Sequence, residues 1–131
     1  MIVDTSALVA ILANEPERSL FTRMIGSARP ARICAATLVE ARVVVEARLG
    51  PRQRRRLDAL LRELEVEVVA FDEQQATIAS EAYRDYGKGS GHPARLNLGD
   101  SYSYALASRT GEPLLFKGNN FGYTDLRPAV G

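Results

Sequence analysis

Hydrophobic and polar residues along this chain follow two rhythms, and the switches between them mark out the elements. Short, nearly continuous apolar runs stand at Met1 to Asp4, Ala31 to Ala35 and Pro113 to Phe116. Runs of that length, bounded by turn residues, read as buried strands. From Glu65 to Phe71 the chain alternates Glu65-Val66-Glu67-Val68 before Val69-Ala70-Phe71, a period of two that predicts a further strand. Between the strands the apolar spacing is helical. Thr5 and Ser6 are placed to cap a helix from about Ala7 through Ala13. Pro16 suits the first turn of a second helix, Glu17 to about Ile25, which Gly26 and Pro30 close. A third helix runs from Thr37 to Leu49 and stops at Gly50-Pro51. Leu57, Leu60, Leu61 and Leu64 share one face of a fourth, Arg52 to Leu64. Asp72 and Gln75 have capping-box spacing for a fifth that reaches about Tyr86. Leu98 to Thr110 forms a sixth, ended by Gly111, after a glycine-rich loop from Gly87 to Asn97. Strands alternating with helices predict one α/β domain over residues 1–131, with a mostly parallel central sheet flanked by helices on both faces.

Composition agrees with a globular domain and narrows its setting. The chain has 131 residues, 46% hydrophobic and 25% charged, enough to build a core without staples. Its one cysteine, Cys34, excludes an internal disulfide framework and lies in an apolar stretch, where it reads as a small buried hydrophobe. The longest apolar run, Ala7 to Ala13, is too short for a bilayer, which needs about 20 residues. Asp4 follows directly on Met1-Ile2-Val3, without the basic and apolar segments of a signal peptide, so the expected compartment is the cytoplasm. A net charge of +1 provides no overall field toward nucleic acid or membrane. Net charge averages over a surface, however, whereas chemistry occurs at a site.

Three carboxylates occupy positions that cost free energy unless something compensates them. Asp4 ends the first strand, and ligands of open α/β sheets bind beyond the carboxyl ends of strands. Capping of the following helix is the simpler account of Asp4. Glu40 shares a helical face with Val43, Val44 and Ala47, where a carboxylate is disfavoured unless it is paired or coordinated. An arginine from elsewhere in the fold is the alternative partner. Asp100 lies in the first turn of the sixth helix, which the helix dipole alone would favour. A strand end and two helices can bring three acids to one pocket. Such a set suits Mg²⁺ or Mn²⁺, hard cations with oxygen ligands, better than zinc.

These residues lie in motifs that resemble the PIN-domain ribonucleases, specifically the VapC toxins of type II toxin–antitoxin pairs. The opening Met1-Ile2-Val3-Asp4-Thr5-Ser6-Ala7-Leu8-Val9-Ala10 carries the resemblance first. Thr37-Leu38-Val39-Glu40-Ala41, Asn97-Leu98-Gly99-Asp100-Ser101 and the closing Pro113 to Phe121 follow in the same order, so it covers essentially the whole chain. The resemblance implies a three-layer PIN-like fold and a Mg²⁺- or Mn²⁺-dependent ribonuclease with Asp4, Glu40 and Asp100 as its acidic metal centre. It implies products with a 3′-hydroxyl and a 5′-phosphate, a VapB-type antitoxin partner, a homodimer, and RNA, often tRNA, as substrate. Members of the family often carry a fourth acid where this chain reads Lys117-Gly118-Asn119-Asn120-Phe121. Asn119 and Asn120 bring amide oxygens there but no charge.

Thr5, Ser6 and Asn97, with the two asparagines, are the expected supports of the carboxylates. Lys88 and Arg95, in the loop just before Asn97, are the expected contacts to the RNA backbone. The denser run Arg52, Arg54, Arg55 and Arg56 reads equally well as a solvated helix face. Two other readings share the α/β pattern. One is a receiver-like phosphoacceptor domain, with Asp72 as acceptor and Lys117 as its lysine. The other is a catalytically inactive interaction module of the same fold.

Overall fold

The computed structural model describes residues 1–130. Its elements follow the predicted alternation: β1 (Ile2–Val3), α1 (Thr5–Leu12), α2 (Arg18–Ala28), β2 (Arg32–Cys34), α3 (Ala35–Leu49), α4 (Pro51–Glu63), β3 (Glu67–Val69), α5 (Glu73–Tyr86), α6 (Leu98–Thr110) and β4 (Leu114–Leu115), followed by a 3₁₀ turn, Asn120–Tyr123. The strands form one sheet in the order β3-β2-β1-β4, and every pairing is parallel. Ile2 lies opposite Arg32 on one side and Leu114 on the other, so β1 is central.

Alternation along these short strands divides the core into two layers. Val3, Ile33 and Leu115 face α1 to α4, where they pack with Leu8, Phe21, Ile25, Val45 and Leu57. Ile2, Cys34 and Leu114 face the other way, onto Ala82, Leu96, Tyr104 and Leu106 of the α5–α6 side. Strands buried on both faces explain why the sequence shows continuous apolar runs there. Cys34 is fully buried, and its thiol donates to Gln75 Oε1 at 3.7 Å. No helix among the described residues is long and apolar enough to cross a membrane.

The strand order creates the site. From β1 the chain moves outward to β2 and β3, then returns across the sheet to place β4 on the opposite side of β1. The carboxyl ends of β1 and β4 therefore diverge into helices on different sides, the crevice in which open α/β sheets bind ligands.

Several local expectations are corrected by the structure. The second helix passes through Gly26 to Ala28 and ends at Arg29, whose φ is 32°. Gly26 does not end the helix, and a Cβ there would make only an ordinary contact with Leu64 at 3.6 Å. Asp4, not Thr5 or Ser6, caps α1. Asp72 does accept from the Gln75 N–H at 2.9 Å, but the Gln75 side chain turns inward to Ala70 O instead of completing a box. The face of α3 bearing Val43 and Ala47 is exposed; its core positions are Thr37, Ala41 and Val45. Glu40 is thus not an acid in a core stripe. It stands at the edge between the buried and open faces.

Candidate active site

Asp4 leaves β1 with extended backbone and is 2% exposed. Its Oδ2 accepts from the Ser6 N–H at 3.0 Å and the Ser6 hydroxyl at 2.7 Å; its Oδ1 accepts from the Ser103 hydroxyl at 2.6 Å. Ser103 Oγ also lies 3.2 Å from Thr37 Oγ1. Because the Ser103 proton goes to Asp4, Thr37 is the donor in that pair, and a hydroxyl relay runs from α3 through α6 to the end of β1. Ser6 Oγ accepts in turn from the Lys117 N–H at 3.0 Å, which ties Asp4 to the exit of β4.

Glu40 reaches the same place from α3. Its Oε1 accepts from the Thr5 hydroxyl at 2.6 Å. Its other oxygen lies over the first turn of α6, where a Cβ on Gly99 would stand 1.4 Å from Oε2. Only glycine at position 99 lets that carboxylate occupy its seat. Burial raises the pKa of Glu40 above the usual carboxylate value; the Thr5 bond opposes this, and the charge of Asp4 adds to it.

Asp100 completes the set through a reciprocal capping box. Its Oδ2 accepts from the Asn97 N–H at 2.9 Å, and its own N–H donates to Asn97 Oδ1 at 2.8 Å. Burial pushes its pKa up to about 6, opposed by the Asn97 bond, reinforced by the charges of Asp4 and Glu40, and tempered by Lys88. The three acids thus interact electrostatically, and Lys88 is close enough for its charge to be felt.

All three line one hollow of about 330 Å³ together with Thr5, Ser6 and Asn97. A smaller hollow of about 120 Å³ adjoins it, where Asn119 and Asn120 face Asp4 and Asp100. Neither asparagine hydrogen-bonds to an acid among the described residues; both stand on the wall. Arg95 is exposed with φ of 47° and lines neither hollow. The loop carrying Lys88 and Arg95 is clipped at both ends, by Lys88 N–H to Leu96 O and Leu96 N–H to Tyr86 O, each 2.9 Å. His92 stacks edge-on against Tyr86 and accepts the Ala94 N–H on Nδ1, so it braces the loop. Asp125 is occupied by the Tyr104 hydroxyl at 2.6 Å and does not replace a fourth acid.

Ser103, Thr37, Gly99 and Lys117 carry roles here that sequence reasoning did not assign to them. The available signal was Ser101-Tyr102-Ser103, small polar residues inside a helix that buries both of them. Lys117 Nζ sits at the mouth of the hollow, ion-paired with Glu15 and, at 3.3 Å, with Glu17. The phosphoacceptor reading finds no site. Asp72 caps α5 and pairs with Arg109 at 2.7 Å, beyond the β3 edge, whereas Lys117 follows β4 at the opposite edge.

The donor set fits a hard divalent cation by its chemistry: three carboxylates in one solvent-open hollow, two of them held above their ordinary pKa partly by mutual repulsion. Among the described residues, no three such groups already stand at ligating distances, since hydroxyls and backbone amides hold them in place.

Comparison with known proteins agrees with this geometry. Residues 1–125 match the PIN-domain family. Ribonuclease VapC42 of Mycobacterium tuberculosis is 50% identical over 129 residues, covering 98% of each chain. The chain belongs to the PIN-domain family, among the VapC ribonucleases. Ribonuclease VapC of Mycolicibacterium smegmatis, 46% identical over 126 residues, covers 96% of this chain and 97% of its own. Among solved structures, Mycobacterium tuberculosis VapC20, a toxin that cleaves the sarcin-ricin loop, superposes with a TM-score of 0.75 at 19% identity, covering 95% of both chains. VapBC2 of Rickettsia felis, solved on a DNA fragment from its promoter, gives 0.73 at 14% identity, covering 97% of this chain and 94% of that one. These two likenesses establish the shared three-layer α/β fold of this VapC-family chain.

Proposed function

We propose that this chain is the toxin of a type II toxin–antitoxin pair and an endoribonuclease that hydrolyses RNA phosphodiester bonds with Mg²⁺, for which Mn²⁺ substitutes. The observation that carries this reading is the meeting of Asp4, Glu40 and Asp100 in one hollow at the switch point of the sheet. Asp4, Asp100 and Glu40 would hold the cation, which supplies positive charge for a phosphate and lowers the pKa of a bound water. Ser6, Ser103 and Asn97 fix the orientation of the carboxylates, so little reorganisation is left for the reaction itself. Glu40, through the oxygen not bonded to Thr5, orients the attacking water and takes its proton. The water oxygen bonds to phosphorus as the bond from phosphorus to the 3′-oxygen breaks. That oxygen takes up a proton, leaving a 3′-hydroxyl and a 5′-phosphate.

Lys88, whose charge reaches Asp100, supplies positive charge that an anionic strand needs near an acidic hollow, whereas Lys117 at its mouth is paired with Glu15 and Glu17. A VapB-type antitoxin is the proposed partner. Related folds were solved as toxin–antitoxin assemblies, among them VapBC-5 of Mycobacterium tuberculosis, with a TM-score of 0.61 at 24% identity, covering 95% of this chain and 89% of that one. A homodimer is proposed as well, supported by Val39 and Val43 on α3, each 62% exposed. Structured RNA, tRNA included, is the proposed substrate, in the cytoplasm. The deciding measurement is cleavage of end-labelled RNA with Mg²⁺ or with a chelator. Asp4→Asn and Asp100→Asn should each lose at least a hundredfold in rate, and full activity in either would sink the reading. Calorimetry that shows no divalent binding would make the chain an inactive interaction module.

A further inference from the structure

A hollow larger than the acidic one lies between α2 and the segment that leaves β4. Its volume is about 500 Å³. Leu20, Phe21, Phe116 and Tyr123 provide its apolar walls. Tyr123 is 57% and Leu20 36% exposed, so apolar surface at the rim is left facing water. Phe116 is braced by Phe121, whose ring centroid lies 5.2 Å away. Lys117, Gly118 and Asn119 form a partition: one side borders this hollow, and the other borders the hollow over Asp4 and Asp100.

We infer that this hollow is a base-binding subsite, which receives one nucleobase of the RNA next to the phosphate that is cut. The inference rests on the ribonuclease reading of the acidic site. Three observations favour a base. The hollow is apolar and aromatic-walled, which suits stacking of a flat heterocycle splayed from a single strand. At the partition its edge turns polar: Asn119 offers a donor and an acceptor, beside Glu17 and Lys117, which pair with each other at 3.3 Å. A base edge carries donors and acceptors side by side, which the side-chain amide of Asn119 can meet. Finally, the same three residues line both hollows, so the two adjoin, and a phosphate at the acids with a base in the hollow can come from neighbouring positions of one strand.

Glycines keep the space open. A Cβ at Gly118 or Gly122 would meet nothing within 4 Å. Gly118 has a φ of 108°, but Gly122 does not lie in the left-handed region. Gly122 lines this hollow and neither of the acidic ones, so Gly122→Leu adds bulk at its wall without backbone strain and leaves the acids untouched.

The test is a metal-free NMR titration of the full chain with AMP, GMP, CMP and UMP, with ribose 5-phosphate as the phosphate-only control. At least one nucleotide should shift the signals of Leu20, Phe116 and Tyr123, ribose 5-phosphate should not, and Gly122→Leu should weaken nucleotide binding at least tenfold. Sequencing of cleavage ends should show a base preference beside the cut that Gly122→Leu loses. Equal shifts with ribose 5-phosphate, nucleotide affinity unchanged in Gly122→Leu, or a hollow silent to nucleotides but filled by the antitoxin tail would each overturn the subsite. RNA cleavage with no nucleotide response overturns the subsite alone. Nucleotide binding at the hollow with no metal-dependent cleavage overturns the catalytic reading alone.

Discussion

Asp4 is held on both oxygens by hydroxyls, and the more distant of these, on Ser103, comes from 99 residues away in sequence. Replacing Ser103 by Ala removes that donor and leaves the Thr37 hydroxyl without its acceptor. The expected cost is about 1 kcal/mol of stability and about tenfold in cleavage rate, read by denaturant melts and single-turnover kinetics. Gly99 makes a sharper case. An added Cβ would stand 1.4 Å from Glu40 Oε2, yet that oxygen terminates a flexible side chain and can swing away. Alanine is also the better helix former, by about 1 kcal/mol. Gly99→Ala should therefore keep or raise Tm while weakening Mn²⁺ binding by about tenfold, measured by calorimetry. A variant that folds and binds Mn²⁺ normally would show that the seat of Glu40 is immaterial.

At the scale of elements, the first turn of α6 is both helix start and wall of the acidic hollow, because Asn97 and Asp100 cap each other there. The clipped loop before it brings Lys88 close enough for its charge to act on Asp100, whereas Arg95 lines neither hollow. Lys88→Glu should therefore weaken RNA binding and reduce the slope of log affinity against log salt by about 1. Arg95→Glu should change it much less. Equal effects in filter binding would place the RNA path over the outer loop instead. These elements were read from the sequence to within three residues at each end, because glycine, proline and capping side chains mark their ends. Boundaries failed where packing overrode the local signal. Gly26 remains inside α2, whose Phe21, Ile25 and Ala28 pack into the core on either side of it. The strand predicted from Glu65 to Phe71 shortens to Glu67–Val69, an edge strand with a neighbour on one side only.

For the whole molecule, near-neutral net charge conceals an acidic centre. Without the three acids, the remainder of the chain is net positive. The raised pKa values of Asp100 and Glu40 set the sign of the pH dependence. In the folded chain Asp100 titrates at about 6, above its ordinary 3.8, so the native state holds that proton more tightly than the unfolded one. Its stabilising contribution is complete below pH 3.8 and is lost as pH rises through about 6. At pH 7.5 the cation-free site should cost on the order of 1–3 kcal/mol. Thermal melts in chelator should therefore show Tm falling as this group ionises, and Mg²⁺ should restore it at pH 7.5. Mg²⁺ affinity should weaken on acidification through pH 6. Asp100→Asn should flatten all three trends, and a Mg²⁺ response that persists in that variant would remove Asp100 from the cation site.

By itself the sequence determined the alternation of strands and helices, the α/β class, and the identity of the three acids in their motifs. The first two follow from local spacing and from the backbone preferences of glycine, proline and capping residues; the acids stood out by their positions, and their joint role was what the family resemblance implied. Tertiary structure alone decided which face of α3 is buried, because burial depends on what packs against it; Val43 lies outside and Glu40 at the boundary. It also decided that Ser103 and Thr37 stand behind Asp4, that Gly99 makes room for Glu40, and that Lys117 separates two hollows. Such partners lie tens of residues apart and belong to different helices. Only the order β3-β2-β1-β4, which turns back at β1, brings them into one crevice.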